Sequence, residues 1–150
     1  MENHVKIWNV YGARVPRGRF FDAMILLFKI LKLRHRSVDI FLLRGKDMVH
    51  LKKRSFLNAS HGKKLPQGHR VVDVLAFPAT PHFPHPEETH APLGEMYLNY
   101  DILKADFGRG VLLAIHGVLH LLGYRHERET DAARMEQKEH VLWRRIASLD

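Results

Sequence analysis

The residues best equipped for chemistry lie in one segment, His116-Gly117-Val118-Leu119-His120-Leu121-Leu122-Gly123-Tyr124-Arg125-His126. His116 and His120 are four positions apart, so on an α-helix their imidazoles project from one face. Gly123 stands where a helix commonly ends in a left-handed turn, and such a turn lets His126 fold back towards the first two. Three neutral imidazoles converging on one point make a tridentate site for a divalent metal. Zinc suits nitrogen-only ligation, and nickel or copper would also bind such a set. A lone histidine on an apolar helix is commonly a satisfied core residue. Two at this spacing each need a partner when buried, and a third beyond a glycine turn favours the metal. Three protein ligands leave one position open for water, as in catalytic zinc, whereas structural zinc normally closes all four. A metal-bound water is acidified towards neutrality, so metal-assisted hydrolysis is the natural reaction class.

The ligand spacing equals that of the metzincin proteases, His-Glu-x-x-His-x-x-Gly-x-x-His, whose glutamate is the general base. Gly117 stands in that place, so a metzincin-like metalloprotease would lack its base. Charge points to a different substrate. Lysine and arginine total 24 against 16 acids, a formal net charge of +8, which favours polyanions. Basic residues cluster between Lys29 and Arg70, including Lys52, Lys53, Arg54, Lys63 and Lys64, while acids gather in Glu127–Glu139. Many small proteins are basic only for solubility, but beside a hydrolytic metal site the basic surface favours a phosphodiester over a peptide. His82, His85 and His90 fall in a proline-rich stretch and are expected in solvent, as is His140 in the acid-rich last helix. No catalytic base and no organic cofactor site is assignable.

The elements that must position these residues follow from periodicity. At 150 residues the chain is one domain by size. Alternation marks His4–Val10 as a strand, and Phe20, Met24, Leu27 and Leu31 form the stripe of a helix over Arg17–Leu33. Val38–Leu43 reads as a strand with Val38, Ile40 and Leu42 on one face, and Lys46–Leu57 as a helix. Asn58–His69 is a solvated loop. The near-continuous apolar run Val71–Phe77 predicts a central strand buried on both faces. Five prolines between Pro78 and Pro92 dictate an irregular loop. Leu93–Tyr100 alternates as a fourth strand, Phe107–Leu122 is an apolar helix capped by Gly123, and Met135, Leu142, Ile146 and Leu149 stripe a last helix from Thr130. The expected fold class is α+β: a small sheet of four strands packed with helices, the metal site on a helix and the turn after it. With no cysteine, disulfides and thiolate chemistry are excluded, in keeping with a cytoplasmic location. The longest apolar run, Ala23–Phe28, is too short to span a bilayer, and the first residues lack a secretory layout, so no membrane partner is expected.

At this point the chain resembles the YbeY family of metal-dependent ribosomal-RNA maturation endoribonucleases. Three segments carry the resemblance in order. Asp73-Val74-Leu75-Ala76-Phe77-Pro78 is similar to the family's T-D-V-L-S/A-F-P strand, and Leu93-Gly94-Glu95-Met96-Tyr97-Leu98 to its L-G-D-I-x-I strand. The histidine segment matches H-G-x-L-H-L-x-G-Y-D-H and is the most specific of the three. The first seventy residues match only in layout. The resemblance implies a mixed four-stranded sheet with surrounding helices and one zinc per chain on His116, His120 and His126. It implies cleavage of single-stranded RNA, with roles in maturing small-subunit rRNA and in ribosome quality control. The expected partners are rRNA and the ribosome or its small subunit, with no DNA. Val72, Glu95 and Arg125 depart from the family's threonine and two aspartates, and the last removes a carboxylate just before the third ligand. The arginine of the family's Y-R-G-K stretch is replaced around Phe56-Leu57; neither Arg54 nor Arg70 is assigned its role. A purely structural metal, in an RNA-binding ribosome assembly factor with little turnover, is the other reading left open.

Overall fold

The computed structural model describes residues 2–15, 17–60, 73–79, 90–124 and 129–148, with the side chains of 56–60 left aside. Among the described residues nine elements follow in chain order: β1 (His4–Trp8), α1 (Arg19–Ile30), β2 (Arg36–Leu43), α2 (Gly45–Ser60), β3 (Val74–Pro78), β4 (Ala91–Asn99), α3 (Tyr100–Ala105), α4 (Phe107–Leu121) and α5 (Glu129–Ser148). The sheet runs β1-β2-β4-β3. β1 pairs parallel with β2, β2 parallel with β4, and β3 antiparallel with β4. This is the α+β layout that the periodicity predicts, with the mixed four-stranded sheet that the resemblance implies.

One row of the register explains the core. Ile7 lies opposite Ile40, Ile40 opposite Met96, and Met96 opposite Ala76. Period-two alternation puts these four side chains on one face of the sheet. There α1 packs on β1, and α4 packs on β3 and β4. The stripe of α1 contributes Met24 and Leu27, both fully buried, and that of α5 contributes Met135, Leu142 and Ile146. The opposite face carries an aromatic row in which Phe41 stacks between Trp8 and Tyr97, at ring separations of 6.2 and 5.0 Å.

Three expectations are corrected. The apolar run ending at Phe77 is an edge strand, not a central one, and its residues are only partly buried. Its apolar character has two local causes: Val74 and Ala76 pack against the core, and Phe77 meets Tyr97 edge-on at 5.7 Å. Pro78 suits such an edge, where a missing N–H breaks no ladder. Second, the fourth strand stops at Asn99, whose side chain accepts the Ile102 N–H at 3.3 Å and starts the short helix α3; Tyr100 belongs to that helix. Third, His90 is partly buried, stacked on His4 at 3.7 Å with its ring Nε2 bonded to the Glu2 carbonyl. His82 and His85 lie outside the described residues, and His140 is exposed as expected. Among the described residues, no helix is long and apolar enough to cross a membrane.

Candidate functional site

The site is built on α4. Asp106 caps the helix by accepting the Arg109 N–H at 3.1 Å, and its apolar side buries Val111, Ala114, Ile115, Val118 and Leu119. At the other end the Gly123 N–H reaches the His120 carbonyl and the Tyr124 N–H reaches the Leu119 carbonyl, both at 3.0 Å. That pair of bonds is a Schellman closure, with Gly123 at φ +100° in the position that favours glycine. The turn predicted after the second histidine is therefore present. His126 lies outside the described residues.

His116 and His120 come together as the i, i+4 spacing requires. Their Nε2 atoms are 2.9 Å apart and their rings meet edge to face, 4.5 Å between centroids. Two nitrogens each about 2.0–2.1 Å from a tetrahedral zinc would stand about 3.3 Å apart, so the pair has nearly the right separation to share an ion. The second nitrogen of His116, Nδ1, is bonded to Oε1 of Glu139 on α5. The glutamate side chain is only 12% exposed and the histidine 29%. A carboxylate accepts, so Nδ1 carries the proton and Nε2 keeps its lone pair, which here accepts from the His120 Nε2–H and is the atom that would face a metal. Carboxylate, imidazole and ligand position in this order are the arrangement that orients metal-binding histidines. Among the described residues there is no group of three or more metal-ligating side chains, and these two histidines are the part of the predicted triad that the geometry brings together.

Beside them opens a cleft of about 300 Å³ lined by Lys52, Asp73, Val74, Leu112, His116 and Glu139 among others. Asp73 holds Arg109 through Oδ2 at 3.5 Å, while its Oδ1 is buried with no partner among the described residues. An orphaned carboxylate oxygen is costly unless something else binds it. Lys52 gives the cleft a cation, so it combines an acceptor, a positive charge and the His116 imidazole.

Glu139 and Asp73 were not singled out from sequence, although each left a signal. Glu139 falls on the stripe of Met135, Leu142 and Ile146, where an apolar residue is expected, and Asp73 interrupts an apolar run. Gly117 faces the sheet: a Cβ there would clash with Sδ of Met96 and lie 3.1 Å from Cγ2 of Val74. The position of a metzincin's base thus points into the sheet, and the glycine is there for close packing of α4. Arg54 is exposed on α2, and Arg70 lies outside the described residues.

Comparison with known proteins agrees with the geometry. A family model described as Endoribonuclease YbeY matches residues 56–147. A Legionella pneumophila (strain Paris) protein named Endoribonuclease YbeY is 29% identical over 148 residues, covering 93% of this chain and 87% of its own length. One of the same name from Myxococcus xanthus is 31% identical over 152 residues, 94% of this chain and 47% of its own. A third, from Sulfurovum sp., is 40% identical over 76 residues, 45% of this chain and 50% of its own. The matched span holds the whole histidine segment together with strands β3 and β4, and the chain belongs to the YbeY endoribonuclease family.

Proposed function

We propose that this chain is a zinc-dependent endoribonuclease that cuts single-stranded RNA. Zinc is held by His116, His120 and His126, and residues 1–150 act as one metal-dependent endoribonuclease domain. The biological substrate in this reading is the maturing rRNA of the small ribosomal subunit, met in the cytoplasm, with ribosome quality control as a linked role. The observation that carries the reading is the pair of Nε2 atoms facing each other at 2.9 Å, one anchored through its far nitrogen by Glu139.

When bound, the metal supplies Lewis acidity towards a phosphoryl oxygen and a water acidified to near neutrality. The protein's own groups do the rest. Glu139 fixes the His116 ring so that its lone pair points outward. Lys52 offsets phosphate charge at the cleft wall. The unpartnered Oδ1 of Asp73 is the acceptor available there to orient a water or a ribose hydroxyl. The direction of Gly117 weighs against a protease, since a side chain at that position would run into Met96 and Val74.

The test is cleavage of an unstructured RNA by metal-loaded protein, with casein and peptide libraries in parallel. RNA cleavage abolished by chelator, with peptides intact, is the expected result. Chelator-sensitive peptide hydrolysis with RNA untouched would overturn it. Bound metal with neither substrate cut would replace it with the assembly-factor reading.

A further inference from the structure

A second groove lies away from the histidines. It runs along the β1 edge of the sheet against α1, with a volume of about 720 Å³. Six cations line it: Lys6 on β1, Arg14 and Arg17 in the segment after it, Lys29 on α1, and Lys32 and Arg34 in the turn that follows. Glu2 is the one acid among the lining residues. Val5, Phe21, Ile25 and Leu33 give the groove an apolar floor. Aromatic rings, rather than acids, hold two of the arginines: Arg14 lies 5.5 Å from the Trp8 ring and Arg17 5.6 Å from the Phe21 ring. Among the described residues none of the six cations forms an ion pair.

The backbone supplies an independent sign that one of these charges is there for use. Helix α1 closes with the same pair of bonds as α4: the Lys32 N–H reaches the Lys29 carbonyl and the Leu33 N–H reaches the Phe28 carbonyl, both at 3.0 Å. In α4 the residue in the left-handed position is Gly123. In α1 it is Lys32, at φ +58°, a conformation uncommon outside glycine. Glycine would close this turn without strain, and what lysine adds is an ammonium on the rim of the groove. Strain kept at a charged position points from geometry to function.

We propose that this groove binds the phosphate backbone of single-stranded RNA, on the edge of the sheet opposite the histidine pair. The inference rests on the RNA reading above and adds a location to it. The groove and the β3 edge are separated by three inter-strand spacings, about 14 Å, so one strand of a few nucleotides can occupy both. Cations around an apolar floor suit a flexible strand, whose phosphates meet the cations and whose bases meet the floor.

The experiment measures binding of a labelled phosphorothioate oligouridylate of about twelve nucleotides at several salt concentrations. Wild-type protein, Lys32→Gly and the triple variant Lys29→Gln/Lys32→Gly/Arg34→Gln are compared, with Tm recorded for each. Wild type should bind with a steep salt dependence. Lys32→Gly should weaken binding and reduce the log–log salt slope by about 0.7, and the triple variant should reduce it by about 2. The Tm of Lys32→Gly should equal or exceed wild type. Unchanged binding by the triple variant, with wild type binding well, would overturn the groove while leaving the RNA reading in place. No binding by wild type at low salt would overturn both. A parallel fall of Tm and affinity in Lys32→Gly would make Lys32 a structural residue, against the proposal. Loss of binding to anionic phosphatidylserine vesicles without loss of RNA binding would assign the groove to a membrane and also overturn it.

Discussion

His116 and Glu139 stand 23 residues apart and meet through Nδ1 and Oε1 across the α4–α5 contact. The relationship ties the last helix to the candidate metal site. The family's usual aspartate before the third histidine is Arg125 in this chain, so α5 supplies a carboxylate to this site where the local sequence does not. It also gives α5 a task beyond burying Met135, Leu142 and Ile146.

If Glu139 orients His116, removing it must weaken metal binding before it weakens anything else. Glu139→Ala should lower zinc affinity by about 10–100-fold, measured by competition with a chromophoric chelator. Glu139→Gln retains an acceptor for Nδ1–H and should recover part of that loss. Equal affinity in wild type and Glu139→Ala would show that the contact does not support the site.

The histidine pair was legible because i, i+4 spacing fixes direction on any helix, and the Gly123 turn because left-handed helix ends favour glycine. The row Ile7–Ile40–Met96–Ala76 was legible only strand by strand, since pairing partners are set by tertiary contacts. The same limit misplaced the Val71–Phe77 run at the sheet centre: a strand with one face under a helix and an aromatic neighbour on the other reads as apolar as one buried on both. Glu139 and Asp73 were visible as polar interruptions of apolar patterns. What each faces depends on a second element, and local sequence carries no such information. The groove at β1 was hidden for the same reason. Lys6, Arg14 and Arg17 lie outside the Lys29–Arg70 cluster and join it only through packing of α1 on β1.

Metal content gives a direct check on the ligand set. His120→Ala removes one of the two nitrogens facing each other at 2.9 Å, and purified variant protein should hold far less zinc than wild type by elemental analysis. Full occupancy in the variant would rule His120 out as a ligand. Asp73→Asn should leave zinc content unchanged while reducing RNA cleavage by about 100-fold, the lower range for loss of a positioned proton acceptor. Equal cleavage would remove Asp73 from the mechanism.

Packing, not catalysis, should dominate at Gly117. A methyl there meets Met96, a fully buried residue. Gly117→Ala gains up to about 1 kcal/mol of helix propensity against an overpacking cost of about 1–3 kcal/mol, for a net loss of roughly 1 kcal/mol. Gly117→Glu forces a carboxylate into the same apolar space and should cost several times more, about 3 kcal/mol or above. Denaturant unfolding separates the two. A Gly117→Glu protein as stable as wild type, or one that hydrolyses peptides, would contradict the direction assigned to this position.

The last expectation concerns alkaline pH. Tyr97 lies on β4 and donates its hydroxyl to Oε2 of Glu95 at 2.9 Å. Burial, then the hydrogen bond to Glu95, then the charges of Glu95 and Asp39 raise its pKa from 10.0 to about 12. Each of these disfavours the phenolate. The folded state therefore holds this proton more tightly than the unfolded chain, whose tyrosine titrates near 10. The stabilisation is complete below pH 10 and is lost as pH rises from 10 through about 12. Spectrophotometric titration should show one late phenolate step in wild type, absent in Tyr97→Phe. In Glu95→Gln the step should move down but stay above the ordinary value, because burial is the largest cause and remains. Stability measured across the same range should fall less steeply in Tyr97→Phe than in wild type. A late step that persists in Tyr97→Phe would assign it to another tyrosine and break the link between this contact and alkaline stability.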